Sequence, residues 1–133
     1  MNVNTFLQSV NVADGFSWDC LHDAIPTTGF AVSAFKNRER IFDHVPSAME
    51  IASFILENAD VLFSTKYILG AHSKVLGCWH YEGKYYLDVS LIYSNRTTAL
   101  QTGFLNDQIA IWDIENGCEI LCSEVASTFK VYA

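Results

Sequence analysis

Four side chains that can do covalent chemistry lie close together in the middle of this sequence. Cys78, His80, Asp88 and Ser90 supply a thiol, an imidazole, a carboxylate and a hydroxyl within the segment CWHYEGKYYLDVS. Nucleophilic catalysis needs a thiolate or hydroxyl with a base within about 3 Å. Side chains of these types also become neighbours by chance in any sheet that contains serine and histidine. We therefore predict no catalytic residue, and a small enzyme built on these four residues is the alternative.

A metal site is the second chemistry that the sequence offers. One residue separates Cys20 from His22, and one separates Cys78 from His80. Residues two apart on a strand share a face, so each pair could chelate a metal, with His72 as a further ligand. Structural zinc motifs instead place two to four residues between cysteines, and a free cysteine is most often a small buried hydrophobe. The sequence thus predicts no metal ligand and four reduced thiols, with a metal-binding or small-molecule module as a further alternative: Cys20, Cys78, Cys118 and Cys122.

Other catalytic and cofactor motifs are missing from the sequence. It contains no G-x-S-x-G nucleophile elbow, no G-x-x-x-x-G-K-[ST] phosphate loop and no G-x-G-x-x-G dinucleotide loop. Asp88 and Asp113 are candidates for a paired acid and base, but two solvated carboxylates are the simpler interpretation. We therefore predict that the protein uses no cofactor.

The charge balance argues against nucleic-acid partners. Eight Lys and Arg against fifteen Asp and Glu give a net charge of -7, and the average field therefore repels phosphate. The one basic cluster, Lys36, Arg38 and Arg40, is diluted by Glu39 and Asp43 and is predicted to be a polar turn. The excess of acid favours solubility and, as the functional alternative, attraction to a protein partner with a basic surface.

No segment predicts secretion or a membrane anchor. The N-terminal stretch MNVNTFLQSVNVADG has neither a basic region nor a continuous apolar run. No stretch approaches the ~20 apolar residues that span a bilayer. We therefore predict a cytoplasmic protein without a membrane partner.

A β-hairpin is the element that must position the reactive side chains. Residues 75–81 and 84–93 are strand-like runs joined by Glu82-Gly83, where glycine supplies the positive φ of a tight turn. Along the second run, apolar side chains alternate with a polar face that includes Asp88 and Ser90.

Two helices are predicted to cover the sheet. The first begins after Ser47, whose S-x-x-E spacing to Glu50 is typical of a capping box. The second covers about residues 96–105 and is capped by Ser94 or Asn95. The positions expected to pack inward are Ala48, Ile51, Ala52, Ile55, Leu56 and Ala59 in the first helix and Ala99, Leu100, Gly103 and Phe104 in the second.

The shorter elements follow from alternation and turn residues. Asn116-Gly117 predicts a hairpin turn after an interior strand. The order of elements predicts an α+β domain over residues 1–133, with a mostly antiparallel sheet and two helices packed on one face. The other predicted segments are an irregular or partly extended lead-in at 1–27, strands at 29–35, 40–43, 108–114 and 118–122, and an edge strand at 123–132.

Two kinds of side chain are candidates for binding a partner. Trp18, Trp79 and Trp112 are predicted to be core anchors, because tryptophan is highly buried on average, whereas an exposed one would indicate an interface. The polar side of the first helix carries what we call the acidic stripe. This stripe is the predicted partner-binding surface, and it consists of Glu50, Ser53, Glu57 and Asp60.

Several motifs resemble a family of short bacterial and bacteriophage proteins that has no established activity. The motifs are Leu76-Gly77 before a tryptophan, Tyr86-Leu87-Asp88-Val89-Ser90, Gln108-Ile109-Ala110-Ile111-Trp112-Asp113 and Asn116-Gly117, with Gly29-Phe30-Ala31-Val32-Ser33 and residues 57–62 upstream. Residues 1–27 and 121–133 fall outside the resemblance. It implies a phage or mobile-element setting, in which small acidic proteins without catalytic motifs often act by binding.

Together these observations predict a binder that is not an enzyme. A binder needs only shape, charge and a few anchors, so it leaves no catalytic motif in the sequence. The most specific expectation is an accessory protein in the host cytoplasm that inhibits a bacterial defence complex of the CRISPR type. The sequence leaves the partner, the surface that is used and homo-oligomerisation open.

Overall fold

The structure, a computed structural model, describes residues 3–127 and confirms the α+β class. This part of the chain contains four α-helices and seven β-strands. The helices are α1 (Val3–Ser9), α2 (Ala48–Glu57), α3 (Ala59–Leu62) and α4 (Arg96–Leu105). The strands are β1 (Phe16–Trp18), β2 (Phe30–Ser33), β3 (Arg40–Phe42), β4 (Ser73–Tyr81), β5 (Lys84–Tyr93), β6 (Ala110–Asp113) and β7 (Cys118–Leu121).

The strands form one antiparallel sheet with the order β1-β4-β5-β2-β6-β7. β5 is a central strand, and its residues 84–92 pair with β4. Its other edge is shared, since β2 pairs with residues 90–93 and β3 with residues 85–87. Residues 34–39 leave the sheet between β2 and β3 and include the 3₁₀ turn Lys36–Arg38.

The register of the β4–β5 hairpin assigns every side chain to one of two faces. The two-residue turn pairs Tyr81 with Lys84 and therefore Cys78 with Leu87. Leu87, Val89 and Leu91 alternate with Asp88 and Ser90, so the two sets point to opposite sides of the sheet. We call the side of Leu87 the helix face and the side of Asp88 the open face.

All four helices pack on the helix face, as predicted for two of them. α1, α2 and α3 bury their apolar residues against Leu87 and Val89 at one end of β5. α4 and the 3₁₀ turn Cys122–Ser127 pack at the other end, against Leu91 and Tyr93. Residues that lie at most 2% exposed in these two clusters include Trp18, Val32, Ile51, Phe54, Leu62, Leu76, Ala99 and Val125.

Local hydrogen bonds explain where the two longer helices begin. The Glu50 backbone N–H donates to the Ser47 hydroxyl, and the Ser47 N–H donates to the Glu50 carboxylate, which completes the predicted capping box of α2. At α4 the Thr98 N–H donates to the Asn95 side chain over 2.9 Å, so Asn95 is the cap and Ser94 is not.

Several sequence predictions of burial and of local structure are wrong. The lead-in predicted as irregular or partly extended contains the unpredicted helix α1, while its strand β1 agrees with the extended part. Residues 123–127 belong to a 3₁₀ turn where an edge strand was predicted, and the remainder of that strand lies outside the described residues. Leu56 and Phe104 were predicted to pack inward but are 78% and 50% exposed. The strand predicted at 108–114 is shorter, and it is interior to the sheet as predicted, between β2 and β7, although Trp112 on one of its faces is exposed.

Within residues 3–127, no helix combines the length and the apolar character that crossing a membrane requires.

Candidate functional site

The four candidate catalytic residues do not meet, because the register divides them between the two faces of the sheet. The Cys78 thiol points to the helix face and contacts the Val12 carbonyl oxygen at 3.9 Å. His80 shares that face but is exposed and stacks on Tyr85, with ring centroids 4.5 Å apart. Asp88 and Ser90 lie on the open face. The length of the two-residue hairpin turn determines this separation. It places Cys78 opposite Leu87, and Leu87 points away from the face of Asp88 and Ser90.

The thiols are held in their protonated, unreactive form by burial. Burial, with a contribution from Asp19, raises the pKa of Cys20 to about 12. Burial, with a contribution from Asp88, raises the pKa of Cys78 to about 11. Because the thiolate is the nucleophile, neither thiol is activated. Cys122 is also buried, so three of the four cysteines match the prediction of buried free thiols, whereas Cys118 is exposed.

No metal site forms among residues 3–127, where no group of three or more His, Cys, Asp and Glu side chains is placed to hold an ion. The side chain of His22 is hydrogen-bonded to the Asp19 carboxylate at 2.8 Å, while Cys20 is buried in the core. Asp113 is opposite Phe30 and so shares the helix face with Tyr93, whereas Asp88 points to the open face. The Asp113 carboxylate accepts a hydrogen bond from the Asn116 side chain at 2.8 Å and does not pair with Asp88.

Asp88 is the most unusual side chain of the open face, since it is a carboxylic acid that is only 4% exposed. Its Oδ2 accepts a hydrogen bond from the Trp79 indole N–H at 3.0 Å, and its Oδ1 accepts one from the Ser90 hydroxyl at 3.2 Å. Gly77 leaves room for it, because a Cβ at that position would lie 2.5 Å from Oδ1. Burial raises the pKa of Asp88 to about 6, against the opposing effect of the two hydrogen bonds.

Aromatic side chains flank Asp88 on the same face. Trp79 stacks on Tyr86 with centroids 4.5 Å apart and ring planes at 16°, and Tyr81 lies 6.2 Å from Trp79. We call Trp79, Tyr81 and Tyr86 the aromatic platform. Trp79 is 40% exposed and Tyr81 52%. The prediction of three core tryptophans is therefore correct for Trp18 alone.

The acidic stripe, predicted to bind a partner, is paired with the basic cluster of the same chain. Arg38 contacts the Asp60 carboxylate through two bonds of 2.9 Å, and Arg40 contacts Glu57 at 2.7 Å. Glu50 is bound by His44, whose pKa the carboxylates of Asp43 and Glu50 raise. The excursion between β2 and β3 thus contacts α3 through Arg38, β3 contacts the end of α2 through Arg40, and much of the charge of the stripe is neutralised within the molecule.

Sequence reasoning missed that the outward side of α2 is apolar. Met49 is 80% exposed and Leu56 78%, and both lie on the side of the helix that carries Ser53. The inward stripe instead runs through Ile51, Phe54 and Ile55. The spacing of seven residues between Met49 and Leu56, which repeats every two turns, was the available signal.

A cleft of about 480 Å³ opens at the end of the sheet where β2 begins. Its lining combines carboxylates, hydroxyls and an imidazole with apolar side chains of the sheet. Residues in the wall include Asp19, Thr28, His72, Ser94, Asp113 and Asn116.

Lys74 is a buried cation that the sequence analysis did not single out. It is 2% exposed on the helix face of β4, and its ammonium donates to the backbone carbonyls of Ser64, Lys66 and His72. Burial lowers its pKa. Because the partners of its ammonium group are carbonyl oxygens of one loop, Lys74 holds residues 64–72 over the sheet. Its side chain points to the helix face and takes no part in the open face.

Comparisons with protein-family models, with curated proteins and with solved structures give no significant match to this chain. The resemblance to the bacterial and bacteriophage family therefore stays a prediction.

Proposed function

We propose that this protein works by binding another protein rather than by catalysing a reaction. More specifically, we propose a phage or mobile-element accessory protein in the host cytoplasm that inhibits a bacterial defence complex of the CRISPR type. The partner presents a basic surface, which the net charge of -7 attracts.

The exposed apolar face of α2 is the observation that carries the proposal. Met49 and Leu56 keep about four fifths of their surface in water, on a helix whose other side is fully packed. Paired polar residues surround them, which is the arrangement of an interface with an apolar centre and a polar rim. Of the predicted residues, Ser53 lies between Met49 and Leu56, Glu50 and Glu57 border them, and Asp60 follows in α3.

The division of the reactive residues between two faces supports a binder over the enzyme alternative. His80 and Ser90 lie on opposite sides of the sheet and cannot act on the same substrate atom. We therefore expect His80→Ala and Ser90→Ala each to leave the biological effect unchanged. Loss of the effect in a variant that remains folded would favour the enzyme.

A plaque assay tests the proposal directly. Bacteria whose CRISPR system targets a phage are infected with and without this protein expressed, and plaques are counted. We expect the protein to restore plaques and the double variant Met49→Glu, Leu56→Glu to lose most of the effect, because hot-spot residues each contribute ~1–3 kcal/mol to binding. The matched control is the double variant Leu105→Glu, Ile109→Glu, which adds the same two charges at apolar positions that are 69% and 82% exposed elsewhere.

Two results would contradict this proposal. Failure to restore plaques against several targeted defence systems would argue against the defence role. Full activity of the double variant would show that the α2 face is not the contact, and sedimentation of the purified protein would then show whether that face instead joins two copies of the chain.

The cleft at the end of the sheet favours a second candidate function, binding of a small polar molecule. Its volume lies in the range of ligand pockets, and hydroxyls and carboxylates such as those of Ser94 and Asp19 suit a polyol or an amine. Native mass spectrometry of protein purified from its own host would reveal a retained ligand.

A further inference from the structure

The aromatic platform has the properties of a prepared binding surface. Its rings belong to two neighbouring strands, β4 and β5, so the backbone fixes their spacing. Within the described part of the chain no helix covers them, because its four helices lie on the opposite face. Tryptophan and tyrosine are the side chains most enriched at the energetic centres of protein interfaces.

Asp88 holds the platform in one orientation. It binds the Trp79 indole N–H at 3.0 Å from beneath, while Tyr86 stacks against the ring. The polar group of Trp79 is thus satisfied within the chain, and the exposed part of the ring is available for contact without a further hydrogen bond. A ring that is already fixed loses little conformational entropy when a partner binds.

Two carboxylates that form no ion pair in the region that the structure describes act on the platform. The Glu82 carboxylate raises the pKa of Tyr81, through its charge and then through a hydrogen bond, and the charge of Glu119 adds to the effect. Glu119 belongs to β7, four strands from β4 in the sheet order, so it acts on Tyr81 through its charge and not through a hydrogen bond. Among residues 3–127, no Lys, Arg or His forms an ion pair with Glu82 or Glu119.

One basic residue, Lys84, lies opposite Tyr81 in the hairpin, on the same face as the platform. Within the range 3–127 it forms no ion pair with Glu82 or Glu119, so it does not occupy either carboxylate. The platform therefore differs from the acidic stripe, whose carboxylates are occupied by Arg38, Arg40 and His44.

We propose that the aromatic platform binds an arginine or lysine side chain presented by a protein partner. The cation lies over the exposed ring of Trp79 or Tyr81, and the carboxylates of Glu82 and Glu119 complete the attraction. This inference rests on the proposed protein-binding function and names the chemistry by which the basic partner is recognised. Stacked aromatics also suit single-stranded nucleic acid, but the negative charges of Glu82 and Glu119 and the net charge of -7 repel phosphate.

The test uses short peptides and the indole N–H signal of Trp79 in nuclear magnetic resonance. The probe is a glycine-arginine repeat, compared with the same peptide carrying citrulline, which keeps the shape and lacks the charge. We expect the arginine peptide to shift the Trp79 signal and leave that of buried Trp18 unchanged, and the citrulline peptide to bind more weakly. Trp79→Ala should weaken arginine-peptide binding by ~2–30-fold.

Exposed charge variants keep the test valid if Trp79→Ala does not fold. Glu82→Gln and Glu119→Gln should each weaken binding of the arginine peptide, whereas Asp107→Asn, an equal change of charge at an exposed turn, should not. Equal affinity for the citrulline peptide, shifts centred on α2, or tighter binding of oligothymidine at Trp79 would each overturn the inference.

The proposed role of the aromatic platform and the proposed function of the protein can be refuted independently of each other. If the plaque assay is negative and the arginine peptide binds at Trp79, the defence role is wrong and the platform stands. If plaques are restored equally by the wild-type protein and by Glu82→Gln, Glu119→Gln, the function stands and the platform is not its contact.

Discussion

The variant Asp88→Asn should make this protein more stable at neutral pH. Asparagine has the same shape, and its amide oxygen can accept the Trp79 indole N–H while its NH₂ group donates to the Ser90 hydroxyl. The two hydrogen bonds that Asp88 makes are therefore kept. The substitution removes the free-energy cost of keeping an ionised carboxylate at a position that is 4% exposed.

The magnitude follows from the pKa of Asp88. Its rise from a usual value of 3.8 to about 6 corresponds to about 3 kcal/mol at ~1.4 kcal/mol for each tenfold change in proton affinity. Because the folded pKa is the higher one, this group favours the fold below about pH 4 and loses that contribution as pH rises through 6. At pH 7 the wild type bears the full penalty and Asp88→Asn does not.

Urea unfolding of both proteins between pH 4 and pH 8 measures the effect. The free energy of unfolding of Asp88→Asn should exceed that of the wild type by up to ~3 kcal/mol at pH 7 and by little at pH 4. Asp107→Asn, which removes an exposed carboxylate, is the control for net charge. Two results would refute the reasoning. A lower free energy of unfolding for Asp88→Asn at pH 7 would show that Asp88 supports the fold as an anion. A difference in unfolding free energy that is the same at every pH would show that ionisation of Asp88 is not coupled to folding.

Two further predictions concern buried groups. Exposed Cys118 should react with iodoacetamide at pH 8 well before Cys20 and Cys78, whose pKa values of about 12 and about 11 keep them protonated, and mass spectrometry of peptides would detect any reversal of this order. Gly77→Ala should lower the free energy of unfolding by ~1–3 kcal/mol, because its Cβ would lie 2.5 Å from the Asp88 carboxylate; unchanged stability in a thermal melt would contradict the packing described.

Elements with strong local signals could be predicted from the sequence. The turn at Glu82-Gly83 and the alternation after it gave the bounds of β5, and the S-x-x-E spacing located the start of α2. These features depend on residues within a few positions of one another. The antiparallel α+β class followed from their order.

Exposure could not be predicted, because it depends on which faces distant elements cover. Trp79 and Trp112 belong to strands, but all helices pack on the other face and leave both rings in water. Leu56 differs from Ile55 by one helical step, and only the position of the sheet decides which of them is buried. α1 was missed because a short segment carries too few residues to establish a period.

The candidate site was only partly accessible to sequence reasoning. The acidic stripe and the basic cluster were both identified, but their mutual pairing requires Arg38 to reach α3 and Arg40 to reach the end of α2, which no local pattern encodes. The separation of Cys78 from Asp88, in contrast, could have been derived from the length of the hairpin turn alone.

The position of β5 also determines how the molecule should open. Every residue from Tyr85 to Leu87 and from Ser90 to Ile92 has a paired neighbour on both sides, and both clusters of buried residues rest against this strand. Separating β5 from its neighbours would expose both clusters to water at once, so its amide hydrogens should be among the last to exchange with deuterium. The peripheral strands β1 and β7 can separate locally without exposing both clusters. Their amide hydrogens should therefore exchange faster than those of β5.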